Sequence, residues 1–221
     1  MSLNICCNLI VYGGRLIKVV IFDLGGVLIK SAFTSFSLEI EAVFDVPATL
    51  VDKTLRKHWP NYLTGKISRE EFWHRFAQDT GLEDDVARFE NSLLSSYPLD
   101  VETYKLVKQL KGRYVLILLT NIAKEWLENV RKRYRFDRLF DKIFASYETG
   151  ASKPHDFETE QDYTLFYRLV LKQIGFKAGE CVFIDDHKEN LKPATEVGMH
   201  VIHFKNANQL KQQLRKLKVA I

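Results

Sequence analysis

The segment CVFIDDHKENLKPATEVGMHVIHF, residues 181–204, carries the clearest fold signal in the chain. It begins with an apolar run, CVFID (Cys181–Asp185), and ends with another, HVIHF (His200–Phe204). Such near-continuous apolar runs are typical of strands buried on both faces of a parallel sheet. A helical pattern from Asn190 to Val197 separates them, with Asn190 as its expected N-cap and Pro193 in its first turn. The segment therefore predicts a right-handed βαβ unit.

The same alternation of apolar runs and helical patterns continues on the N-terminal side of this segment. The further apolar runs are IKVVIFD (17–23), YVLILLT (114–120) and a weaker candidate, KIFASY (142–147). Helical patterns cover residues 101–111, 123–134, 163–174 and 206–218. Strands that alternate with helices predict an α/β fold with a doubly wound, mainly parallel sheet.

The alternation stops between Lys30 and Tyr97, where the pattern is helical throughout. Expected helices contain Phe36, Ile40, Val43 and Phe44, then residues 70–78 and 85–94, with breaks at Pro47, Pro60, Gly65, Gly81 and Pro98. We therefore expect a helical domain over 30–97, inserted into a discontinuous α/β core made of 17–29 and 98–221. Residues 1–16 are interpreted as an N-terminal extension, with a hairpin turn at Tyr12–Arg15.

Composition excludes several classes of protein. Of 221 residues, 46% are hydrophobic and 27% are charged, the values of an ordinary globular protein rather than a disordered, collagen-like or coiled-coil chain. Three cysteines (Cys6, Cys7 and Cys181) cannot form a disulfide framework, so a reducing, cytoplasmic environment is expected. No apolar run approaches the roughly 18 residues that a membrane-spanning helix needs, and no convincing signal peptide is present.

The charge is mildly positive, at +4, but unevenly placed. No acidic residue follows Glu196, and five of the eight residues 131–138 are basic. Both basic segments lie in amphipathic helical patterns, so we interpret them as solvated helix faces. No nucleic-acid-binding module accompanies them, and we expect neither nucleic acid nor membrane as a partner.

Polar residues follow the predicted strands where their carboxyl ends meet one edge of the sheet, the edge at which open α/β sheets bind ligands. They are Asp23, Thr120–Asn121, Asp185–Asp186 and, in the loop after the weaker strand, Ser152-Lys153-Pro154. Each alone is common as a cap or a surface residue. Together the carboxylates suit Mg²⁺, the lysine and hydroxyl suit phosphate oxygens, and Asp23 suits nucleophilic attack on phosphorus.

In order and identity these motifs resemble the haloacid dehalogenase-like (HAD) hydrolase superfamily. The resemblance rests on FDLGGVL (22–28), LLTN (118–121), SKP (152–154) and VFIDDHKENLKPATEVGMHVIHF (182–204), and it extends over about 17–204. The helical insert lies where class-one caps of this superfamily sit, and LTGKISREEFW (63–73) is similar to a cap sequence. The resemblance implies a Rossmann-like core and an enzyme that is a hydrolase.

The resemblance also implies roles for individual residues. Asp23 would be the nucleophile and a Mg²⁺ ligand, with the main-chain carbonyl of Gly25 and the carboxylate of Asp186 as further ligands. Asp185 would orient metal-bound waters.

The phosphoryl-binding roles follow from the same motifs. Thr120 and the backbone N–H of Asn121 would hold the transferring phosphoryl group, and Lys153 would neutralise its charge. The small residues Gly25 and Gly26 would let backbone N–H groups approach a phosphate closely.

Two departures from the superfamily pattern affect the functional interpretation. Phosphatases of the superfamily usually carry a second Asp, a general acid and base, where this chain has Gly25. We expect a leaving group that needs little protonation, a substitute acid such as His58, His155 or His187, or an impaired enzyme. The second departure is the long acidic loop 155–162, which we interpret as a surface insertion near the mouth of the site.

The favoured function is Mg²⁺-dependent hydrolysis of a phosphomonoester in a small phosphorylated metabolite, with a sugar phosphate as one candidate. One alternative is metal-independent carbon–halogen hydrolysis by an Asp nucleophile, which the acidic pair Asp185–Asp186 disfavours. The other is a non-catalytic protein that binds a phosphometabolite, for which Gly25 is the main support.

Overall fold

The computed structural model describes residues 16–30, 33–82, 90–91, 98–154 and 162–221. Its centre is a sheet of five strands: β1 (Val19–Phe22), β2 (Val115–Thr120), β3 (Lys142–Ala145), β4 (Cys181–Asp185) and β5 (His200–His203). The strands lie in the order β3-β2-β1-β4-β5, and every neighbouring pair is parallel. The predicted doubly wound α/β fold is thus confirmed.

Helices cover both faces of this sheet. Four helices follow β1 along the chain before β2 begins: α1 (Phe33–Phe44), α2 (Ala48–Leu63), α3 (Arg69–Thr80) and α4 (Val101–Leu110). The later helices are α5 (Lys124–Tyr134), α6 (Phe136–Leu139), α7 (Ser146–Thr149), α8 (Thr164–Ile174), α9 (Lys188–Glu196) and α10 (Ala207–Lys216). None of the helices in these described ranges is long and apolar enough to cross a membrane.

Alternate residues of β1 point to opposite faces of the sheet and so enter two separate cores. Val20 and Phe22 pack in a large cluster with apolar residues of α4, α5 and α10, among them Leu106, Leu127 and Leu210. Val19 and Ile21 pack in a second cluster with residues of α8 and α9, among them Phe166, Val170 and Ala194. Because both faces of β1 are buried, its sequence VVIF is continuously apolar.

The described chain between residues 33 and 80 is helical, as the sequence predicts, but two details of the prediction are wrong. Pro60 does not break a helix: it lies inside α2, whose buried face includes Trp59, Tyr62 and Leu63. Packing of these large side chains outweighs the local cost of the proline. The second detail concerns Val43, which belongs to the apolar pattern that predicts α1 but has a side chain that is 50% exposed.

Two boundaries near the site also differ from the prediction. The strand expected to reach Tyr147 ends at Ala145, where α7 begins. Asn190 is not an N-cap: α9 begins at Lys188 with His187 as its N-cap, so Pro193 lies in the helix interior rather than the first turn. The expected hairpin turn at 12–15, most of the helix expected over 85–94 and most of the acidic loop fall outside the described residues.

Candidate active site

The site forms at the carboxyl edge of the sheet, between β1 and β4. From β1 the chain builds β2 and β3 on one side of the sheet, then crosses to build β4 and β5 on the other. The crevice where strand order reverses is the usual ligand site of such sheets. Asp23 directly follows β1 and Asp185 ends β4, and the backbone N–H of Asp23 donates to the carbonyl of Ile184 across the crevice (2.9 Å).

Lys153 joins these two carboxylates. Its Nζ lies 2.7 Å from Asp23 Oδ1 and 2.7 Å from Asp185 Oδ2, and all three side chains are buried. Burial alone would lower the pKa of Lys153, but the charges of Asp185 and Asp23 raise it above its ordinary value. The lysine is therefore held as an ammonium ion between two anions.

The loop that carries Lys153 is fixed by Asn121, which follows β2. The Asn121 side chain accepts a hydrogen bond from the backbone N–H of Lys153 (2.8 Å) and donates one to its carbonyl (3.0 Å). Thr120, the last residue of β2, is buried beside it. The sequence predicted a role for the backbone N–H of Asn121, whereas this side-chain contact with the lysine loop had no sequence signal.

Asp185 is held in place by the first turn of α9. Asn190 Nδ2 lies 3.0 Å from each carboxylate oxygen of Asp185, and the backbone N–H of His187 donates to Oδ1 (2.8 Å). Tyr167 of α8 donates its hydroxyl to the carbonyl of Asn190 (2.6 Å), which anchors this turn from beneath. Asn190 was expected only as a cap, yet its buried amide is the main support of Asp185.

Asp186 faces the same crevice with fewer contacts. Its buried Oδ1 has no hydrogen-bond partner among the described residues, and Oδ2 lies 3.4 Å from Nε2 of His187. Gly26 packs directly against it: a Cβ built on Gly26 would lie 2.0 Å from Asp186 Oδ2, and Gly26 has a φ of 70°. Both the backbone conformation and the close approach therefore require glycine at position 26.

The three carboxylates could hold a metal ion. One oxygen from each of Asp23, Asp185 and Asp186 lies within 4.8 Å of the others. Burial raises the pKa of Asp23 well above its ordinary value, although Lys153 opposes the rise, and burial also raises the pKa of Asp186. Three buried or half-buried carboxylates beside one ammonium, one with an unpartnered oxygen, fit a divalent cation that prefers oxygen ligands.

Gly25 occupies the position where phosphatases of the superfamily usually carry a second Asp. Gly25 is exposed, and within the described part of the chain a Cβ built there meets no heavy atom within 4 Å outside its chain neighbours. Of the three histidines suggested as substitutes, His58 in α2 contacts Asp79 (2.8 Å) and His187 lies beside Asp186. His155 falls outside the described residues.

A buried serine that the sequence did not single out joins the site to the helices that follow β1. Ser146 Oγ donates to the carbonyl of Leu63 in α2 (2.5 Å) and accepts from the backbone N–H of Ile122 (3.0 Å). A second contact runs from the Tyr62 hydroxyl to Glu125 at the start of α5 (2.8 Å). The end of α2 is thus attached to the loop after β2, next to Thr120 and Asn121.

A family model described as haloacid dehalogenase-like hydrolase matches residues 17–198, and the chain belongs to this family. The chain is 33% identical over 207 residues to the sesquiterpene phosphatase astK of Aspergillus oryzae, which covers 90% of this chain and 96% of the relative. It is 24% identical to flavin mononucleotide hydrolase 1 of Arabidopsis thaliana, over 94% of this chain and 80% of the relative.

Solved structures agree with the fold. An HAD family enzyme from Bacteroides thetaiotaomicron, in complex with magnesium and inorganic phosphate, aligns with a TM-score of 0.68 at 24% identity. The alignment covers 86% of this chain and 95% of that one. The resemblance inferred from the motifs is confirmed at the level of the superfamily.

Replacing Gly26 by alanine tests the close approach to Asp186. Gly112 is a matched control, because its φ is also positive (79°) but a Cβ there meets nothing within 4 Å. We expect Gly112→Ala to cost about 1–2 kcal/mol of unfolding free energy for the left-handed conformation. We expect Gly26→Ala to cost about 1–3 kcal/mol more, because the methyl group displaces Asp186. Urea unfolding measures both, and equal losses would contradict the packing described here.

Proposed function

We propose that the chain is a Mg²⁺-dependent phosphatase that transfers the phosphoryl group of a small phosphorylated metabolite to Asp23 and then to water. The observation that carries this proposal is the buried Asp23–Lys153–Asp185 cluster at the crevice between β1 and β4. The membership in a hydrolase family and the phosphatase and hydrolase names of its relatives support it.

Asp23 has the surroundings of a positioned nucleophile. Its Oδ1 accepts a hydrogen bond from the backbone N–H of Leu24 (2.6 Å) and contacts Lys153, so we assign the attack on phosphorus to Oδ2. The Lys153 ammonium would balance the negative charge that collects as a phosphate approaches a carboxylate. Thr120 and the backbone N–H of Asn121 are proposed to donate to the phosphoryl oxygens, as the motifs imply.

A magnesium ion would be held by Asp23, Asp186 and the main-chain carbonyl of Gly25. The unpartnered Oδ1 of Asp186 and the raised pKa values of both carboxylates support this assignment, since a cation would stabilise their charged forms. When bound, Mg²⁺ supplies positive charge to the phosphate oxygens. Asp185 has its oxygens engaged by Lys153 and Asn190, so we propose that its main task is to hold the lysine.

Carbon–halogen hydrolysis is a weaker candidate. Asp185 can serve a metal-independent reaction by holding Lys153, but Asp186 has a buried oxygen without a described partner, which is costly unless a cation offsets it. A purely binding role is disfavoured by the names of the relatives, a phosphatase and a hydrolase, which favour catalysis.

We also infer that α1, α2 and α3 belong to a cap over the active site. The end of α2 contacts the core through Ser146 and through Glu125, immediately beside the proposed phosphate-binding residues. An aromatic contact between Trp59 of α2 and Trp126 of α5, with ring centroids 4.5 Å apart, extends this junction. Helices attached at this point can exclude water from a reacting phosphate.

Asp23→Asn tests the nucleophile. We expect it to lower kcat for phosphate release from para-nitrophenyl phosphate by about 10⁴-fold or more, because an amide cannot attack phosphorus. The fold should persist, because Lys153 retains its contact with Asp185. The control is Asp137→Asn, which removes an exposed carboxylate paired with Arg131 and should leave kcat unchanged. Phosphate release should also stop in EDTA and return with added Mg²⁺. Full activity of Asp23→Asn, or turnover without metal, refutes the proposal.

Asn190→Ala tests the support of Asp185. Loss of both amide contacts should let Asp185 and Lys153 shift, and we expect kcat to fall about 10–100-fold, as for other residues that orient the groups of a metal site. Asn206→Ala is the matched control: Asn206 caps α10 by accepting a hydrogen bond from the backbone N–H of Gln209, and its loss should cost about 1 kcal/mol of stability without changing kcat. Steady-state kinetics measures the effect of each variant on kcat, and thermal unfolding measures its effect on stability. A kcat of Asn190→Ala equal to that of the wild type would exclude this role for Asn190.

A further inference from the structure

We propose that this enzyme acts on phosphates whose leaving group is a weak base, such as an aryl, enol or phosphoanhydride oxygen, rather than on phosphates of ordinary alcohols. The inference rests on the proposed phosphatase function and specifies its substrate class. Its basis is Gly25, which has no acidic side chain at the position where the family pattern implies a general acid, and the open space beside it among the described residues.

The open space at Gly25 lies two residues after the nucleophile. Asp23 is buried, whereas Gly25 is exposed, so the chain rises out of the crevice between them. Among the residues that the structure describes, no heavy atom outside the chain neighbours lies within 4 Å of a Cβ built on Gly25, and Gly25 does not have the positive φ of its neighbour Gly26. A side chain would therefore fit here, but the sequence provides none.

Lys153 and the two described histidines suggested as substitute acids, His58 and His187, all contact carboxylates. Lys153 directs its ammonium group to Asp23 and Asp185, at 2.7 Å each. Nε2 of His187 lies 3.4 Å from Asp186, the proposed metal ligand. His58, on α2, contacts Asp79 (2.8 Å) and is buried within the helical insert. Among the described residues, these three donors thus contact carboxylates, and no heavy atom outside the chain neighbours lies within 4 Å of a Cβ at position 25.

Without a general acid, the rate of phosphoryl transfer depends on how well the leaving oxygen carries a negative charge. As Asp23 Oδ2 forms a bond to phosphorus, the bond from phosphorus to the leaving oxygen breaks and the electron pair stays on that oxygen. Without a general acid the oxygen departs as an anion and takes its proton from bulk water. Water then attacks phosphorus, the Asp23–phosphorus bond breaks, and the carboxylate is regenerated. An alkoxide is a poor leaving group under these conditions, while an aryloxide, enolate or phosphate is a good one.

The test compares kcat/KM for para-nitrophenyl, phenyl and benzyl phosphate with Mg²⁺, because benzyl phosphate matches phenyl phosphate in shape but leaves as an alkoxide. Benzyl diphosphate, which can leave as benzyl phosphate, distinguishes an anhydride from an aryl preference. For the wild type we expect kcat/KM to fall by about 10²-fold or more from para-nitrophenyl to benzyl phosphate, the contribution of one general acid.

Two variants at position 25 test whether an added acid changes the preference for the leaving group. We expect Gly25→Asp to raise the ratio of kcat/KM for benzyl phosphate to that for para-nitrophenyl phosphate by about 10²-fold, the contribution of one general acid. Gly25→Asn has the same shape but no acidic proton, and this ratio should not rise.

Three results would overturn the inference. The first is equal kcat/KM for benzyl and para-nitrophenyl phosphate in the wild type. The second is a selective loss of benzyl phosphate hydrolysis in His187→Ala or His155→Ala, which would identify a substitute acid. The third, no release of phosphate from any of the four compounds, refutes the phosphatase function itself and this inference with it. If a Gly25 variant does not fold, the kcat/KM values of the wild-type enzyme for the four compounds still test the inference.

Discussion

The ion triad in which Lys153 lies between Asp23 and Asp185 is the interaction on which the rest of the site depends. Removing the cation from such a buried set typically costs about 3–5 kcal/mol, because the carboxylates are left without compensation. The triad forms because three separate segments converge on it: the ends of β1 and β4, which are neighbours in the sheet, and the loop after β3. The side chain of Asn121 fixes that loop through hydrogen bonds to the backbone of Lys153. The side chain of Asn190 fixes Asp185 through hydrogen bonds to the Asp185 carboxylate. The carboxylate proposed as the nucleophile, the lysine ammonium and a carboxylate oxygen without a described hydrogen-bond partner thus meet at one crevice.

The sheet was predictable because its strands are buried on both faces. Full burial makes the strand sequences continuously apolar, as in VVIF of β1 and CVFID of β4, and such runs are visible without knowledge of tertiary contacts. Boundaries were less predictable, since they depend on packing. The sequence KIFASY continues as an apolar run past Ala145, but the chain turns into a helix there, where Ser146 bonds to both Leu63 and Ile122. Pro60 likewise remains inside α2 because its neighbours are buried.

The site was predictable to the extent that its residues sit at strand ends. Asp23 and Asp185 could be brought together from sequence alone, because parallel strands end at one edge of a sheet. The residues that hold these carboxylates and Lys153 in place could not be identified from the sequence. The sequence predicts other roles for Asn121 and Asn190, a backbone donor and a helix cap, and none for Tyr167, and only the tertiary structure reveals which atoms their side chains contact. The open space at Gly25 is a similar case: the sequence marks a missing carboxylate, whereas the structure adds that a side chain would fit.

The central claim is that Asp23 forms a covalent bond to phosphorus. The most direct measurement is mass spectrometry of enzyme that is mixed with para-nitrophenyl phosphate and Mg²⁺, quenched in acid within one turnover and digested with a protease active at low pH. The account predicts one added phosphoryl group on the peptide that contains Asp23, and on no other peptide, with none in Asp23→Asn. Phosphate released in a single turnover by enzyme that carries no phosphoryl group at any time point, or a phosphoryl group on another residue, would contradict it.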